Sequence, residues 1–190
     1  MSPQGLKSLS TNERRLLLDL ARSTVKARLE KERPPSETPS PGPLTEIRGA
    51  FVTLAIDGAL RGCIGHVVGT EELWHSVRSN AINAAFRDPR FPPLSGPELP
   101  TVEFEISALT PLWLVTSPAE IVIGRDGVVI ERGHYRGLLL PQVAERYGWS
   151  PEEFLDQTCR KAGMEPGCWR NDDAKITAFS AEVFSEEGFK

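Results

Sequence analysis

The dipeptide Asp57-Gly58, set between apolar runs at 47–56 and 59–64, constrains this chain more than any other feature. Two residues that tolerate positive φ between β-branched runs predict a tight antiparallel hairpin. Loop length then sets the register: 56 opposite 59, 54 opposite 61, 52 opposite 63. Alternation places Val52, Leu54, Ile56, Ala59, Arg61 and Cys63 on one side, and Phe51, Ala55, Leu60 and Ile64 on the other. Both sides are mainly apolar, which predicts a hairpin inside a sheet covered on both faces. An arginine and a cysteine side by side on such a face need a reason.

The remaining signals mix helices with hairpins. Ser10-Thr11-Asn12-Glu13 has capping-box spacing, and behind it Leu16, Leu17, Leu20, Ala21, Val25 and Leu29 share one helical face ending by Arg33. Prolines 34, 35, 39, 41 and 43 make 33–44 an extended linker. Thr70 is placed to cap a helix with Glu71 and Glu72 in its first turn and Leu73, Trp74, Val77, Ala81, Ala84 and Ala85 as its stripe. Residues 101–109 alternate cleanly, with Val102, Phe104, Ile106 and Ala108 inward and Glu103, Glu105 and Ser107 opposite. A second hairpin is predicted around Asp126-Gly127, then a turn at 133–137 and a short helix from Pro141. Ser150-Pro151-Glu152-Glu153 opens a helix lined by Phe154, Leu155, Thr158, Cys159 and Ala162, and a last strand covers 175–184. Without regular βα alternation, the expected class is α+β with a mainly antiparallel sheet and flanking helices.

Composition narrows the function classes. The 190 residues, 39% hydrophobic, suit one core over 1–190, folded as one or two lobes, and exclude a wholly disordered chain. The formal charge of −4 argues against a nucleic-acid partner. The apolar runs are too short to span a bilayer, and residues 1–31 carry no secretory pattern. Three cysteines do not make a disulfide framework, so a cytoplasmic setting is expected.

The densest chemistry is the run from Leu60 to His66, where Gly62 and Gly65 interrupt a good strand, as at a bulge or a close approach by backbone or ligand. A thiol beside a guanidinium is favoured as thiolate, and a bulge at Gly65 would turn His66 toward Cys63 as its base. Read structurally instead, Cys63 is a small core residue, Arg61 half of an ion pair and His66 a loop residue. Gly62, Gly65 and Gly69 ahead of a helix also suggest a carboxylate or phosphate site, but Gly69 is followed by Thr70 with no P-loop lysine. Cys63 and His66 with Cys159 or Cys168 do not supply zinc-like spacing, so neither metal nor cofactor is expected. Glu103 and Glu105 pair as acid and base, or simply face solvent, and Glu105 is the natural partner of Arg61 if that face lines a cleft. The turn Arg87-Asp88-Pro89-Arg90 holds an anion or pairs internally. His134-Tyr135-Arg136 sits at an exposed tip.

The segment from Leu60 to Gly65 resembles the hallmark of the AMMECR family, known in prokaryotes as AmmeMemoRadiSam system protein A. Segments 49–54, 84–91, 105–109, 137–144 and 159–163 agree with it in order. The resemblance implies a two-lobed α+β protein with the Arg61–Gly65 segment beside a cleft, which favours the exposed reading of Arg61 and Cys63. The family's prokaryotic name implies a setting with radical-SAM and Memo-like proteins. The resulting expectation is an enzyme or enzyme component that binds a small anionic or carbonyl ligand. Cys63 is its nucleophile, Arg61 the charge partner, the continuous Gly62–Gly65 backbone, with Ile64 within it, the oxyanion donors, and His66 or Glu105 the proton carrier. Arg90 joins them as a ligand contact. The rival expectation is a non-catalytic scaffold that binds a protein partner.

Overall fold

In the computed structural model, which describes residues 8–35 and 37–189, Asp57 and Gly58 both take positive φ, 51° and 74°. They join β1 (Ala50–Ile56) to β2 (Ala59–His66) as the hairpin expected. The chain divides into two compact units: Thr110–Ala181, and the described residues of Gly5–Leu109 with Glu182–Lys190. The leader-peptide and linker readings extend to residues 1–7 and 36, which lie outside the described residues.

In the larger unit the strand order is β2–β1–β3, with β3 spanning Val102–Leu109 and every pairing antiparallel. Ala50, Val52, Leu54, Phe104 and Ile106 form one face of this sheet. They are buried in one core with Leu17, Ala21 and Val25 of α1 (Thr11–Glu30) and Val77 and Ala81 of α2 (Leu73–Phe86). The capping box of Ser10 and Glu13 forms, and Lys31 closes α1 in the left-handed conformation. The buried stripe of α1 is rotated from the expected one: Leu18 is inside and Leu16 is 57% exposed. α2 begins later than expected, at Leu73, because Ile47 bridges to Glu72 and the Glu46 carbonyl accepts from the Leu73 amide. Glu72, not Thr70, is the N-cap. Of the proline-rich linker, Pro43–Thr45 winds into a 3-10 turn that anchors Leu44 in the core, so the linker ends in a fixed element.

The smaller unit pairs β5 (Asp126–Arg132) with β6 (Tyr135–Leu139) and with β7 (Lys175–Ser185), and β7 also pairs with β4 (Trp113–Leu114). α3 (Pro141–Tyr147) and α4 (Pro151–Lys161) complete it. The Ser150 capping box forms, and Phe154, Leu155, Thr158 and Cys159 are buried as expected. The predicted hairpin at Asp126-Gly127 does not exist. Both residues begin β5, where the Asp126 carboxylate, fully buried, accepts from the Val122 amide and the Ser180 hydroxyl. The ring of Phe179 lies where a side chain at Gly127 would be, 2.3 Å from the ideal Cβ position.

The cysteine expectation is also corrected, since Cys159 and Cys168 form a disulfide. Gly163 and Gly167, both at positive φ, reverse the chain after α4 and bring the two Cα atoms to 5.9 Å. With mixed helices and antiparallel strands throughout, the class is α+β, a mainly antiparallel sheet with flanking helices. Among the described residues no helix is long and apolar enough to cross a membrane.

Candidate functional site

The hairpin register slips by one at Leu54/Ala55. Ala55 faces Leu60, Leu54 faces Gly62 and Thr53 faces Cys63, leaving Arg61 as the extra residue of a bulge. The pairing of 52 with 63 read from the turn is therefore off by one. Gly62 now shares the helix-covered face with Leu54 and Val52, and Cys63 lies on the opposite, outer face with Thr53. On the other side of β1, Thr53 faces Glu105. Three polar side chains from three neighbouring strands thus form one row: Cys63, Thr53, Glu105. Cys63 is half-buried and is the free cysteine of the chain, and the Thr53 hydroxyl donates to its Sγ at 3.3 Å.

The two glycines beside the cysteine make room for the protein itself. A Cβ on Gly62 would lie 2.2 Å from the Ala84 carbonyl of α2, and one on Gly65 would lie 2.5 Å from the Phe51 ring. Ile64 packs against the core of the larger unit. Its side chain does not reach the outer face as a ligand contact would require.

β2 is the edge strand, and its backbone at Cys63 is held from outside. The Asp88 carboxylate accepts the Cys63 amide at 2.9 Å, while the Arg90 guanidinium donates to the Cys63 carbonyl at 3.1 Å and to Asp88 at 2.7 Å. An acid and a base two residues apart thereby do the work of a neighbouring strand, accepting the N–H and supplying a donor to the C=O. Asp88 is 4% exposed. The Arg90 guanidinium, above all, holds its carboxyl far below the usual carboxylate range, and the Cys63 and Arg90 amides reinforce this.

This bracket and the bulge at Arg61 change the expected roles. The Cys63 amide is occupied, so it is no oxyanion donor. By strand alternation Gly62 and Ile64 direct their amides toward β1, which leaves Gly65 as the outward amide of the expected set. Arg90 is tied to Asp88 and to the Cys63 backbone. Arg61 is not paired with Cys63 or Glu105: its Nε donates to Glu98 at 2.7 Å, and its guanidinium lies over the Phe91 ring. The Arg61 and Ser95 side chains hold the Glu98 carboxyl down at about 2. His66 lies opposite Ala50, three regular positions from Cys63 and therefore on the other face, because the bulge is at Arg61 and not at Gly65.

Glu105 is in the opposite electrostatic condition. Burial, with the charge of Glu103 on the same face adding to it, pushes its carboxyl above the ordinary value. Among the described residues it makes no ion pair and no side-chain hydrogen bond. The sequence reading missed Thr53, and the signal that finds it is the slipped register. It also missed the way Asp88 acts, which a buried aspartate two residues before an arginine, at the end of α2, makes possible.

An α+β protein with a braced, cysteine-bearing edge strand is what these elements define. The chain belongs to the AMMECR1 family, whose family model matches residues 18–184. It is 46% identical to Protein TK0174 of Thermococcus kodakarensis over 184 residues, covering 90% of this chain and 89% of that one. It is 42% identical to a protein of Methanothermobacter thermautotrophicus over 189 residues, covering 95% and 97%. The crystal structure of Protein PH0010 from Pyrococcus horikoshii superposes with a TM-score of 0.79 at 41% identity, covering 90% of each chain.

Proposed function

We propose that this protein is an enzyme component that binds a small carbonyl or carboxylate compound on the outer face of β2–β1–β3, with Cys63 as the attacking group. The observation that carries the reading is the row itself: a half-exposed thiol whose backbone is clamped on one side by Asp88 and Arg90, with a hydroxyl on its sulfur and a raised carboxyl on the next strand. A clamped backbone holds a nucleophile in one geometry before the ligand arrives. In the addition, the S–C bond forms and the carbonyl π pair moves to oxygen. The thiol proton passes through solvent to the Glu105 carboxylate, which hands it on to that oxygen, while the Thr53 hydroxyl donates to the sulfur. The outward Gly65 amide and the Arg90 N–H groups not bound to Asp88 or Cys63 are the proposed means of holding a negative oxygen. Arg61 positions the bulge through Glu98. His66 takes no part in this scheme.

The setting we propose is the cytoplasm, alongside radical-SAM and Memo-like proteins that supply or consume the ligand. Because Cys159 and Cys168 are joined, iodoacetamide reads Cys63 alone. The expected result is labelling at neutral pH faster than that of a free-thiol peptide, slowed by Thr53→Val and protected by millimolar glyoxylate as the carbonyl probe. Labelling no faster than the peptide, with no protection, would overturn the nucleophile. The tilted ring pair of His134 and Tyr135, 5.6 Å between centroids at the β5–β6 turn with Tyr135 50% exposed, favours a second, partner-binding reading. That reading predicts capture of a radical-SAM or Memo-like protein that survives Cys63→Ser and is lost in Tyr135→Ala.

A further inference from the structure

A groove of about 790 Å³ lies within the larger unit, between the C-terminal halves of α1 and α2, and four of its lining residues are Arg28, Arg33, Arg78 and Arg87. Glu32 is the acid among its lining residues. Among the described residues none of the four arginines forms an ion pair. Arg78 donates to the Pro35 carbonyl and lies over the Trp74 ring, and Arg87 donates to Asn83, which leaves most of their N–H groups unused. This stands against a chain whose formal charge is −4 and whose other arginines are largely paired with carboxylates.

The helix ends account for only part of the pattern. Arg28 in the last turn of α1 and Arg87 at the C-cap of α2 offset the carbonyl ends of their helices. Arg33 lies beyond α1, and Arg78 lies two turns before the end of α2, so neither serves that purpose. Thr24 also lines the groove. It is 2% exposed, and its hydroxyl has no hydrogen-bond partner. A buried hydroxyl left unpaired costs free energy that a bound acceptor would recover. One wall is apolar, with Ile82 and Phe86 one turn apart on α2.

We infer that this groove binds a phosphorylated small molecule of nucleotide type, its phosphates met by the guanidinium groups and its planar, less polar part laid against Ile82 and Phe86. Guanidinium is the side chain best matched to phosphate oxygens. The volume is that of a small-molecule site rather than of a track for a polymer, and the acidic remainder of the chain repels a nucleic acid. The groove shares no residue with the Cys63 row, so the two readings stand or fall separately.

The test is calorimetric titration of the full chain with ADP and with pyrophosphate as probes, repeated at two salt concentrations. ADP should bind in the micromolar range, more weakly at higher salt. Arg33→Gln with Arg87→Gln, both exposed, should weaken ADP and pyrophosphate at least tenfold while lowering the melting temperature by no more than about 3 °C, the share of Arg87 at the end of α2. Ile82→Ser should weaken ADP several-fold and leave pyrophosphate unchanged, and Cys63→Ser should change neither. No binding of ADP up to millimolar concentration overturns the inference. So does equal binding by the double arginine variant, or binding of a single-stranded RNA oligomer in place of ADP.

Discussion

Asp88 and Glu98, which brace the edge of β2, each face an arginine, whereas Glu105 on β3 has Glu103 as its charged neighbour and, among the described residues, no paired cation. The first two carboxyls are held below their ordinary range and the third is pushed above it. The edge is finished: its charges are paired, and its backbone groups at Cys63 are satisfied. The outer face is unfinished, carrying a desolvated carboxyl and a half-buried thiol. Paired and unpaired carboxyls thus lie on adjacent parts of the β2–β1–β3 run of strands.

The sharpest way to break this division is Gly62→Val. Its Cβ would meet the backbone carbonyl of Ala84, which cannot swing aside as a side chain does. The expected loss is about 3 kcal/mol or more, a fall in melting temperature of roughly 10 °C. Gly58→Ala, with open space around it but φ of 74°, should cost only about 1 kcal/mol. Equal melting of the two variants would mean that α2 does not fix the edge. Next in size is the double substitution Cys159→Ala with Cys168→Ala, which opens a loop of sequence separation 9. It should cost about 2–3 kcal/mol by denaturant titration and leave the Cys63 labelling rate unchanged. A changed rate would show that bracing in the smaller unit reaches the row. Asp88→Asn comes third, at about 2 kcal/mol, the scale of a lost charged hydrogen bond. Because it loosens the Cys63 backbone, it should also change the iodoacetamide labelling rate at neutral pH, which a purely structural aspartate elsewhere would not do.

How far the sequence could be read follows from the range of the forces involved. Both capping boxes and the Asp57-Gly58 turn are local, set by residues two or three apart, and they appear where expected. The second Asp-Gly pair carries the same local signal and forms no turn. Asp126 is instead buried against Val122 and Ser180, and Phe179 covers Gly127; these contacts reach as far as 54 residues along the chain. At the site, Cys63 and Glu105 were legible as polar exceptions in apolar strands. Their alignment through Thr53 was not, because the bulge at Arg61 is fixed by Glu98 and Phe91, which a hairpin register does not contain. The disulfide escaped for a similar reason: two glycines at positive φ decide whether cysteines nine residues apart can meet.

The smallest expected effect tests the comparison most directly, through the acid and neutral limbs of a stability profile. A carboxyl whose folded value is lowered contributes stability above its ordinary value and loses it as the pH falls through the folded one. The Glu98 share therefore disappears between about pH 4.5 and about pH 2, and the Asp88 share continues to lower pH. Glu105 has the opposite sign. Its raised carboxyl binds a proton more tightly when folded, so its share is present below the ordinary value of 4.5 and is lost as the pH rises through the folded value. Glu105→Gln should accordingly flatten the profile between pH 4.5 and neutrality and raise stability at pH 7 by about 0.5 kcal/mol, whereas Glu98→Gln should flatten the acid limb and lower it. Thermal melts from pH 2 to pH 8 read both at once. If Glu105→Gln instead destabilises the protein at pH 7, a cation must pair with that carboxylate in solution, and the outer face would be as finished as the edge.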